Sequence, residues 1–249
     1  GETIMDRWDD REKAWDDEEK AWDDQEKALE LYNDGVDFCE QEKFVEALAC
    51  FNASILLNPE EEDTWCFKGV ILFGQEKFQE SITCFDEAIR IYPEFAFALN
   101  HRGAAMLHLE QFEKAIHCFN EAIKIDSKDS FYWHNKGHAL LELEIYEEAM
   151  RCFDEAIRLD PEYDDTWHKK GMALYYIREF DEAIKCYSQA IMLNSDSPDS
   201  WHNKGMTFEQ LGKNEEAISC FDTSIKLKED RIVKEKKVEN DSKEIEVLI

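Results

Sequence analysis

Histidines are the residues of this sequence whose type and spacing could most directly support chemistry. His134 and His138 lie four residues apart, which places both imidazoles on one face of a helix. Imidazoles at that spacing can share a metal ion, with His101 and His168 as further candidates. No carboxylate in a fixed motif accompanies them, so we favour solvated histidines that hydrogen bond to a ligand or to water. A metal-binding or enzymatic site is the less favoured alternative, and we predict no metal and no catalytic residue.

Eight cysteines could indicate redox or zinc chemistry, but their spacing does not favour either. Cys39 and Cys66 do not have the spacing of zinc ligands. The other six recur every 34 residues, which indicates a packing position for a small apolar side chain: Cys50, Cys84, Cys118, Cys152, Cys186 and Cys220. We expect unpaired thiols, a reducing cytoplasmic compartment and no cofactor.

Composition and charge narrow the classes of partner. The 249 residues include 29 basic and 58 acidic side chains, for a net charge of −29, which repels nucleic-acid phosphates and anionic membrane surfaces. No apolar stretch approaches the roughly 20 residues of a membrane span. The sequence has no glycine-rich phosphate loop and no nucleophile elbow. We therefore expect no nucleic acid, no membrane and no enzymatic activity.

A period of 34 residues organises the elements that must position these side chains. Trp65, Trp133, Trp167 and Trp201 are separated by multiples of 34. Only four prolines and nine glycines occur, and no run alternates apolar and polar residues, so the chain is predicted to be all-α. The period defines six units: 28–61, 62–95, 96–129, 130–163, 164–197 and 198–231.

Each unit also repeats a glycine and an aromatic residue. The second half of a unit places a small residue, an aromatic and a second small residue on one helical face, as in Ala149, Phe153 and Ala156. A glycine inside a helix costs about 1 kcal/mol relative to alanine, so a glycine at constant spacing predicts the close approach of a neighbouring helix. It follows the tryptophan position by four residues in every unit: Gly35, Gly69, Gly103, Gly137, Gly171 and Gly205.

This pattern resembles the tetratricopeptide repeat family, and the stretch from Trp133 to Pro161 carries nearly all of the family's motif. The resemblance covers residues 28–231. It implies a right-handed superhelical solenoid of six helix-turn-helix units, whose first helices line a concave groove. In five of the six units the residue before the glycine departs from the family because it is basic, as at Lys68 and Lys136, although an aliphatic stem can cover the same surface.

The resemblance implies a non-catalytic interaction scaffold or adaptor that binds a peptide or a helical segment in this groove. The acidic balance favours a partner with basic and apolar residues. Asn33, Asn135 and Asn203 form a broken version of the asparagine ladder by which some members hold a peptide backbone, solvated polar residues being the alternative. The residues expected in the groove are Asn33, Phe73, Phe97, Asn100, His101, Phe131, His134, Asn135, His138, His168, Lys169, Met172, Tyr175, His202, Asn203 and Met206.

The N-terminal segment, residues 1–27, consists of near-identical acidic heptads that begin at Trp8, Trp15 and Trp22. No proline or glycine separates them from the first unit, so we predict one helix from about residue 4 to about residue 41. A line of tryptophans marks a contact surface for a second copy, for the solenoid itself or for another protein. The second hypothesis for function is therefore structural self-assembly through residues 1–27, and a solvated tail is the alternative.

The C-terminal segment, residues 232–249, mixes lysine, glutamate and scattered apolar residues. Because a solenoid must cover its last apolar face, we expect this segment to form a capping helix. Ile232 and Val233 are expected to point inward.

Overall fold

The computed structural model describes the backbone of residues 4–248 and the side chains of residues 20–234. Over that range the chain forms twelve α-helices and no strand. They are α1 (Ile4–Glu40), α2 (Phe44–Leu57), α3 (Glu62–Gly74), α4 (Phe78–Ile91), α5 (Ala96–His108), α6 (Phe112–Ile125), α7 (Ser130–Glu142), α8 (Tyr146–Leu159), α9 (Asp164–Tyr176), α10 (Phe180–Leu193), α11 (Pro198–Gln210) and α12 (Asn214–Leu248).

The helices belong to two compact units, Gly1–Ile125 with α1 to α6 and Asp126–Ile249 with α7 to α12. Within each unit, consecutive helices form antiparallel pairs such as α3 with α4 and α9 with α10. The second helix of one pair also packs against the first helix of the next, as α4 does against α5 and α10 against α11. This stacking of helix pairs confirms the all-α repeat fold that the 34-residue period predicted.

The repeated glycine and aromatic residue meet in the core of each helix pair. Phe85 and Phe153 are completely buried. A Cβ atom on Gly69 would lie 2.7 Å from Cε1 of Phe85, and one on Gly137 would lie 2.6 Å from Cε1 of Phe153. The predicted close approach is therefore confirmed, and the partner is the aromatic ring of the second helix in the same pair.

In four of the six pairs, a tryptophan on the first helix is hydrogen bonded to the loop that precedes the pair. In every case the indole Nε1 donates a hydrogen bond to the carbonyl oxygen six residues earlier in the chain. The acceptors are Pro59 for Trp65 at 2.9 Å, Ser127 for Trp133 at 3.0 Å, Pro161 for Trp167 at 2.9 Å and Ser195 for Trp201 at 3.1 Å. A phenylalanine or leucine could not make this bond, which gives the period in tryptophan a physical reason.

A residue in the left-handed conformation closes the turn inside each helix pair. At Glu76, for example, φ is 60°, and the next amide, that of Lys77, donates to the Leu72 carbonyl oxygen at 2.9 Å. This bond satisfies a carbonyl at the end of the first helix. The equivalent residues are Glu42, Glu110, Glu144, Arg178 and Gly212.

Both terminal helices are long. The helix α1 passes without interruption from the tryptophan heptads into the first repeat, and the side chains of Trp8 and Trp15 lie outside the described residues. The helix α12 likewise continues past the sixth repeat, since neither proline nor glycine follows Gly212. Ile232 and Val233 are 49% and 66% exposed, which differs from the inward orientation expected of a cap. No described helix is both long and apolar enough to cross a membrane.

Candidate functional site

The surface formed by the first helix of each pair carries the predicted binding residues, and we call it the first-helix face. Each unit has its own first-helix face, which α1, α3 and α5 form in Gly1–Ile125 and α7, α9 and α11 form in Asp126–Ile249. Of the predicted residues, four are exposed: Asn33, Phe97, Phe131 and His202. Nine are half-buried: Phe73, His101, Asn135, His138, Lys169, Met172, Tyr175, Asn203 and Met206. Three are buried: Asn100, His134 and His168.

The buried imidazoles join successive first helices. His134 is 4% exposed, and its Nδ1 lies 2.9 Å from Thr166 Oγ1. His168 is 9% exposed, and its Nδ1 lies 2.9 Å from Ser200 Oγ. This placement differs from the expectation that these histidines line a groove. The reason is that their repeat position points towards the next first helix, so that they act as hydrogen-bonded packing residues.

Asp165 and His168 have perturbed pKa values because of this packing. Burial alone would raise the pKa of Asp165, but the hydrogen bond to His134, 3.3 Å away, and the charges of His134 and Lys169 outweigh it. The pKa of Asp165 is therefore held below its usual value of 3.8. Burial lowers the pKa of His168 from its usual 6.5, and Asp165 offsets that effect only in part. The site therefore favours an ionised carboxylate and a neutral His168 at neutral pH.

An open cavity lies between α9 and α11, and we call it the α9–α11 cavity. Its volume is about 60 Å³, and its wall is mainly aromatic and thioether, with one amide that can both donate and accept hydrogen bonds. That combination offers contacts to an apolar side chain and to a peptide backbone. The lining residues are Met172, Tyr175, Tyr176, Tyr187, Asn203 and Met206.

A polar group lies on the same face of the second unit. His138 Nε2 is 3.1 Å from Lys169 Nζ and 3.3 Å from Glu142 Oε1. A neutral imidazole can accept a hydrogen bond from the ammonium, whereas a protonated imidazole can donate one to the carboxylate. Asn203 Nδ2 lies 3.4 Å from His168 Nε2, which connects the α9–α11 cavity to the buried imidazole.

Aromatic side chains cluster on the first-helix face of the first unit. The ring of Phe97 lies 4.0 Å from that of His101, and Phe73 contacts Phe78 with 5.4 Å between ring centroids. A separate cavity at the start of α3 and α5 is lined by Asp63, Cys66, Phe67, Val70, Phe95 and Phe97. Sequence reasoning missed Asp63, Phe95 and, in the second unit, Tyr176. Asp63 lies 34 residues before Phe97, so the repeat spacing could have identified it, whereas Phe95 precedes α5 and is identified only by its proximity to Phe97.

The arrangement of histidine, cysteine and carboxylate side chains bears on metal binding, and the pKa values of the cysteines bear on thiol chemistry. No group of three histidine, cysteine, aspartate or glutamate residues within the described part of the chain is arranged to hold a metal ion. The eight cysteines are free thiols. Burial raises the pKa of Cys66 to about 12 and those of Cys84, Cys152 and Cys186 to about 11. Few thiolates therefore form at neutral pH, and the thiolate is the nucleophilic form.

Comparison with known families agrees with the geometry of the helix pairs. Sequence profiles of the tetratricopeptide repeat match residues 62–95, 96–129, 130–163 and 198–231, and a further profile of the same repeat matches residues 173–212. The chain belongs to the tetratricopeptide repeat family. Membership confirms the resemblance drawn from the tryptophan, glycine and aromatic positions. The repeats support an interaction scaffold, and proteins built from them are generally non-catalytic.

Several solved structures share the fold of this tetratricopeptide repeat protein. YrrB, described as a TPR protein with an unusual peptide-binding site, is 20% identical over 75% of this chain and 97% of its own, with a TM-score of 0.59. MamA from Desulfovibrio magneticus RS-1 is 19% identical over 69% of this chain and 97% of its own, with a TM-score of 0.63. PilF of Pseudomonas aeruginosa is 16% identical over 79% and 90%, with a TM-score of 0.69. No curated protein matches the chain by sequence.

Proposed function

We propose that this protein is a non-catalytic scaffold that binds a peptide or a helical segment of a partner on its first-helix face. The observation that carries the proposal is the α9–α11 cavity, where Met172, Tyr175 and Met206 remain only half-buried beside the amide of Asn203. Partly exposed aromatic and thioether side chains around a cavity are typical anchors for an apolar side chain of a ligand.

Charge and fold give the proposal further support. A net charge of −29 attracts basic segments and speeds their encounter with the protein. YrrB, which shares the fold, is described as having a peptide-binding site. The free thiols are consistent with a reducing compartment such as the cytoplasm. Together these features favour an adaptor whose ligand combines basic and apolar residues.

A selected peptide tests the α9–α11 cavity directly. A displayed random peptide library is selected on the full chain, and the Kd of the best peptide is measured by fluorescence anisotropy. We expect the double substitution Tyr175→Ala and Met206→Ala to weaken binding at least about tenfold, because truncation of central anchors commonly costs 1 kcal/mol or more. Far-UV circular dichroism establishes that the variant stays helical.

The matched control removes an apolar side chain from the second-helix side of the same unit. Met192 on α10 is 70% exposed, and Met192→Ala is expected to leave the Kd unchanged. An unaltered Kd in the double variant, or an equal loss in Met192→Ala, would contradict the assignment of the first-helix face.

Self-association through the N-terminal helix is a second candidate, and one observation favours it. Trp22 and Leu29 lie seven residues apart on α1, and their side chains are 76% and 59% exposed. Light scattering tests it: removal of residues 1–27 should convert an oligomer into a monomer, and Trp22→Ser should weaken the oligomer. Leu56→Ser, at an 85% exposed position on α2, is the control. A monomeric full chain would eliminate this candidate.

A further inference from the structure

A second cavity lies at the start of α3 and α5, and we call it the α3–α5 cavity. Its volume is about 260 Å³, below the roughly 300–1,000 Å³ of sites that enclose whole small molecules. Its lining residues are Asp63, Cys66, Phe67, Val70, Phe95 and Phe97. The tests proposed above do not involve these residues.

Three of the six residues that line the α3–α5 cavity are phenylalanines. Phe67 is 37% exposed, Phe97 is 45% exposed, and the ring centroids of Phe95 and Phe97 are 6.4 Å apart. The face of an aromatic ring attracts a cation that lies within about 6 Å of its centroid. Such a wall also packs well against the aliphatic stem of a long side chain.

Asp63 lines the same cavity with its apolar atoms, so its carboxylate lies beside the apolar wall and supplies a negative charge there. Glu61 and Glu62 precede it in the chain, and burial together with the charge of Glu62 raises the pKa of Asp63. None of the ion pairs formed between described residues involves Asp63. Of the nearby cations, Lys68 lies over the ring of Trp65, and Arg90 pairs with Glu60 and Glu87.

The remaining polar chemistry of the α3–α5 cavity is weak. Cys66 is 2% exposed, and burial raises the pKa of its thiol to about 12. A covalent role for this thiol is therefore disfavoured at neutral pH. An uncharged aliphatic side chain could fill the apolar wall, but it would leave the carboxylate of Asp63 unused. The combination of aromatic faces with one carboxylate matches a side chain that has both an alkyl stem and a positive charge.

We infer that the α3–α5 cavity binds a basic side chain, arginine or lysine, of a peptide on the first-helix face. The alkyl stem lies between the rings of Phe67 and Phe97, and the cation lies beside Asp63. This inference rests on the proposed function, because it names the chemistry of one residue in the bound peptide. The α9–α11 cavity is formed by other residues, so the binding test at Tyr175 and Met206 can succeed or fail independently.

The test uses a defined set of peptides with the full chain. The probes are acetyl-Ser-Leu-Xaa-Leu-Ser-amide with arginine, lysine, citrulline or norleucine at Xaa, titrated while backbone amide shifts of residues 62–70 and 95–101 are followed by NMR. We expect the arginine and lysine peptides to bind and the neutral citrulline and norleucine peptides to bind at least about threefold more weakly. Asp63→Asn should reduce the affinity for the arginine peptide about twofold to fivefold, which is the range of a partly exposed ion pair. Phe97→Ala should reduce it by a similar factor.

Controls separate this cavity from general electrostatic attraction. Asp199 occupies the repeat position of Asp63 in the sixth repeat, and Phe44 is an exposed aromatic on α2. Asp199→Asn and Phe44→Ala are expected to leave the arginine affinity unchanged. The inference is overturned if norleucine binds as tightly as arginine, if Asp63→Asn and Asp199→Asn have equal effects, or if no shifts appear at residues 62–70 and 95–101.

Discussion

In Gly1–Ile125 the first-helix face carries Phe67 and Phe97 beside the carboxylate of Asp63, whereas in Asp126–Ile249 it carries His138 and Lys169 in a polar group. In both units, the helices that carry this face pack through the same contact between a glycine and an aromatic ring inside each helix pair. The difference teaches that one repeat scaffold can present two chemistries. The residues that fix the backbone are shared, and the residues between them on the first helix are free to vary.

The two units also differ in the hydrogen bonding of a buried threonine hydroxyl. Thr64 and Thr166 occupy the same place in their repeats and are 0% and 1% exposed. Thr166 Oγ1 lies 2.9 Å from His134 Nδ1, whereas Thr64 Oγ1 has no hydrogen-bond partner among the described residues. The repeat position of His134 is occupied in the first repeat by Tyr32. The second unit thus has a hydrogen bond between first helices that the first unit lacks at this position.

Substitutions in the glycine and aromatic contact should have the largest effects on the free energy of unfolding, and these effects should be equal in the two units. Phe85→Ala and Phe153→Ala each remove a completely buried ring, so each should lower the free energy of unfolding by about 3–5 kcal/mol. Urea denaturation followed by circular dichroism and by amide hydrogen exchange measures the loss in each unit. A cost below about 1 kcal/mol in only one unit would break the view that the scaffold is common to both.

A double-mutant cycle tests whether the contact between Gly69 and Phe85 is the cause of this stability. Gly69→Ala places a Cβ 2.7 Å from Cε1 of Phe85, and such overpacking should cost about 1–3 kcal/mol. In the Phe85→Ala background the same substitution should cost nothing or stabilise the helix, because the ring is gone and alanine has the better helix propensity. Gly74→Ala is the control, since its Cβ would meet no atom within 4 Å. Additive costs in the cycle would contradict the contact as the cause.

The buried threonines should respond in opposite directions. Thr166→Val removes the hydrogen-bond partner of His134 Nδ1 and should lower the free energy of unfolding by about 1–3 kcal/mol. Thr64→Val replaces an unpaired buried hydroxyl with a methyl group of similar shape and should raise that free energy by about 1 kcal/mol. Denaturation midpoints of the two variants provide the measurement. Equal signs would mean that the hydroxyl of Thr64 finds a partner in solution.

Sequence reasoning predicted the features that the 34-residue period constrains, which are the repeat fold and the steric role of the repeated glycine. A glycine every 34 residues has a steric meaning wherever it occurs, so the close approach of a neighbouring helix followed from spacing, but the aromatic ring that the glycine meets, Phe85 or Phe153, did not. The family and the repeat fold followed in the same way. The left-handed turns did not, because four of the six positions carry glutamate, as at Glu76, and one carries Arg178, where glycine would have been the usual signal.

Burial on the first-helix face could not be predicted from one helix at a time. His134 and His168 project towards the inner side in a helical projection, but the angle at which the next first helix packs decides whether that side is open. Thr166 and Ser200 cover them. The two cavities depend in the same way on residues of different helices, such as Phe67 on α3 and Phe97 on α5.

A fall in pH should lower the stability of the second unit because His168 becomes protonated more readily in the unfolded chain. Because burial lowers its folded pKa below the usual 6.5, the unfolded chain binds the proton more readily, so stability is full above pH 6.5 and falls as the pH drops below it. The groups that act on His168 include Asp165, Lys169 and Asp199. Between pH 7 and pH 5 the urea midpoint of the second unit should shift to lower urea, by less than the shift that Thr166→Val produces. His168→Gln should reduce this dependence, whereas His202→Gln, at the exposed equivalent position, should retain it; a dependence that is the same in both variants would exclude His168 as its source.

The smallest effect on stability concerns the basic residue that precedes the repeated glycine in five of the six repeats, and it should again be equal in the two units. Lys68 Nζ lies 5.4 Å from the ring centroid of Trp65, and Lys136 Nζ lies 5.7 Å from that of Trp133. Lys68→Met and Lys136→Met keep an unbranched apolar stem over the indole and remove the charge, so each should change the free energy of unfolding by no more than about 0.5–1 kcal/mol. Lys68→Ala removes the stem as well and should cost more than Lys68→Met. If alanine and methionine cost the same, the charge rather than the stem stabilises this position, and the reason that a lysine replaces the family's apolar residue here would have to be electrostatic.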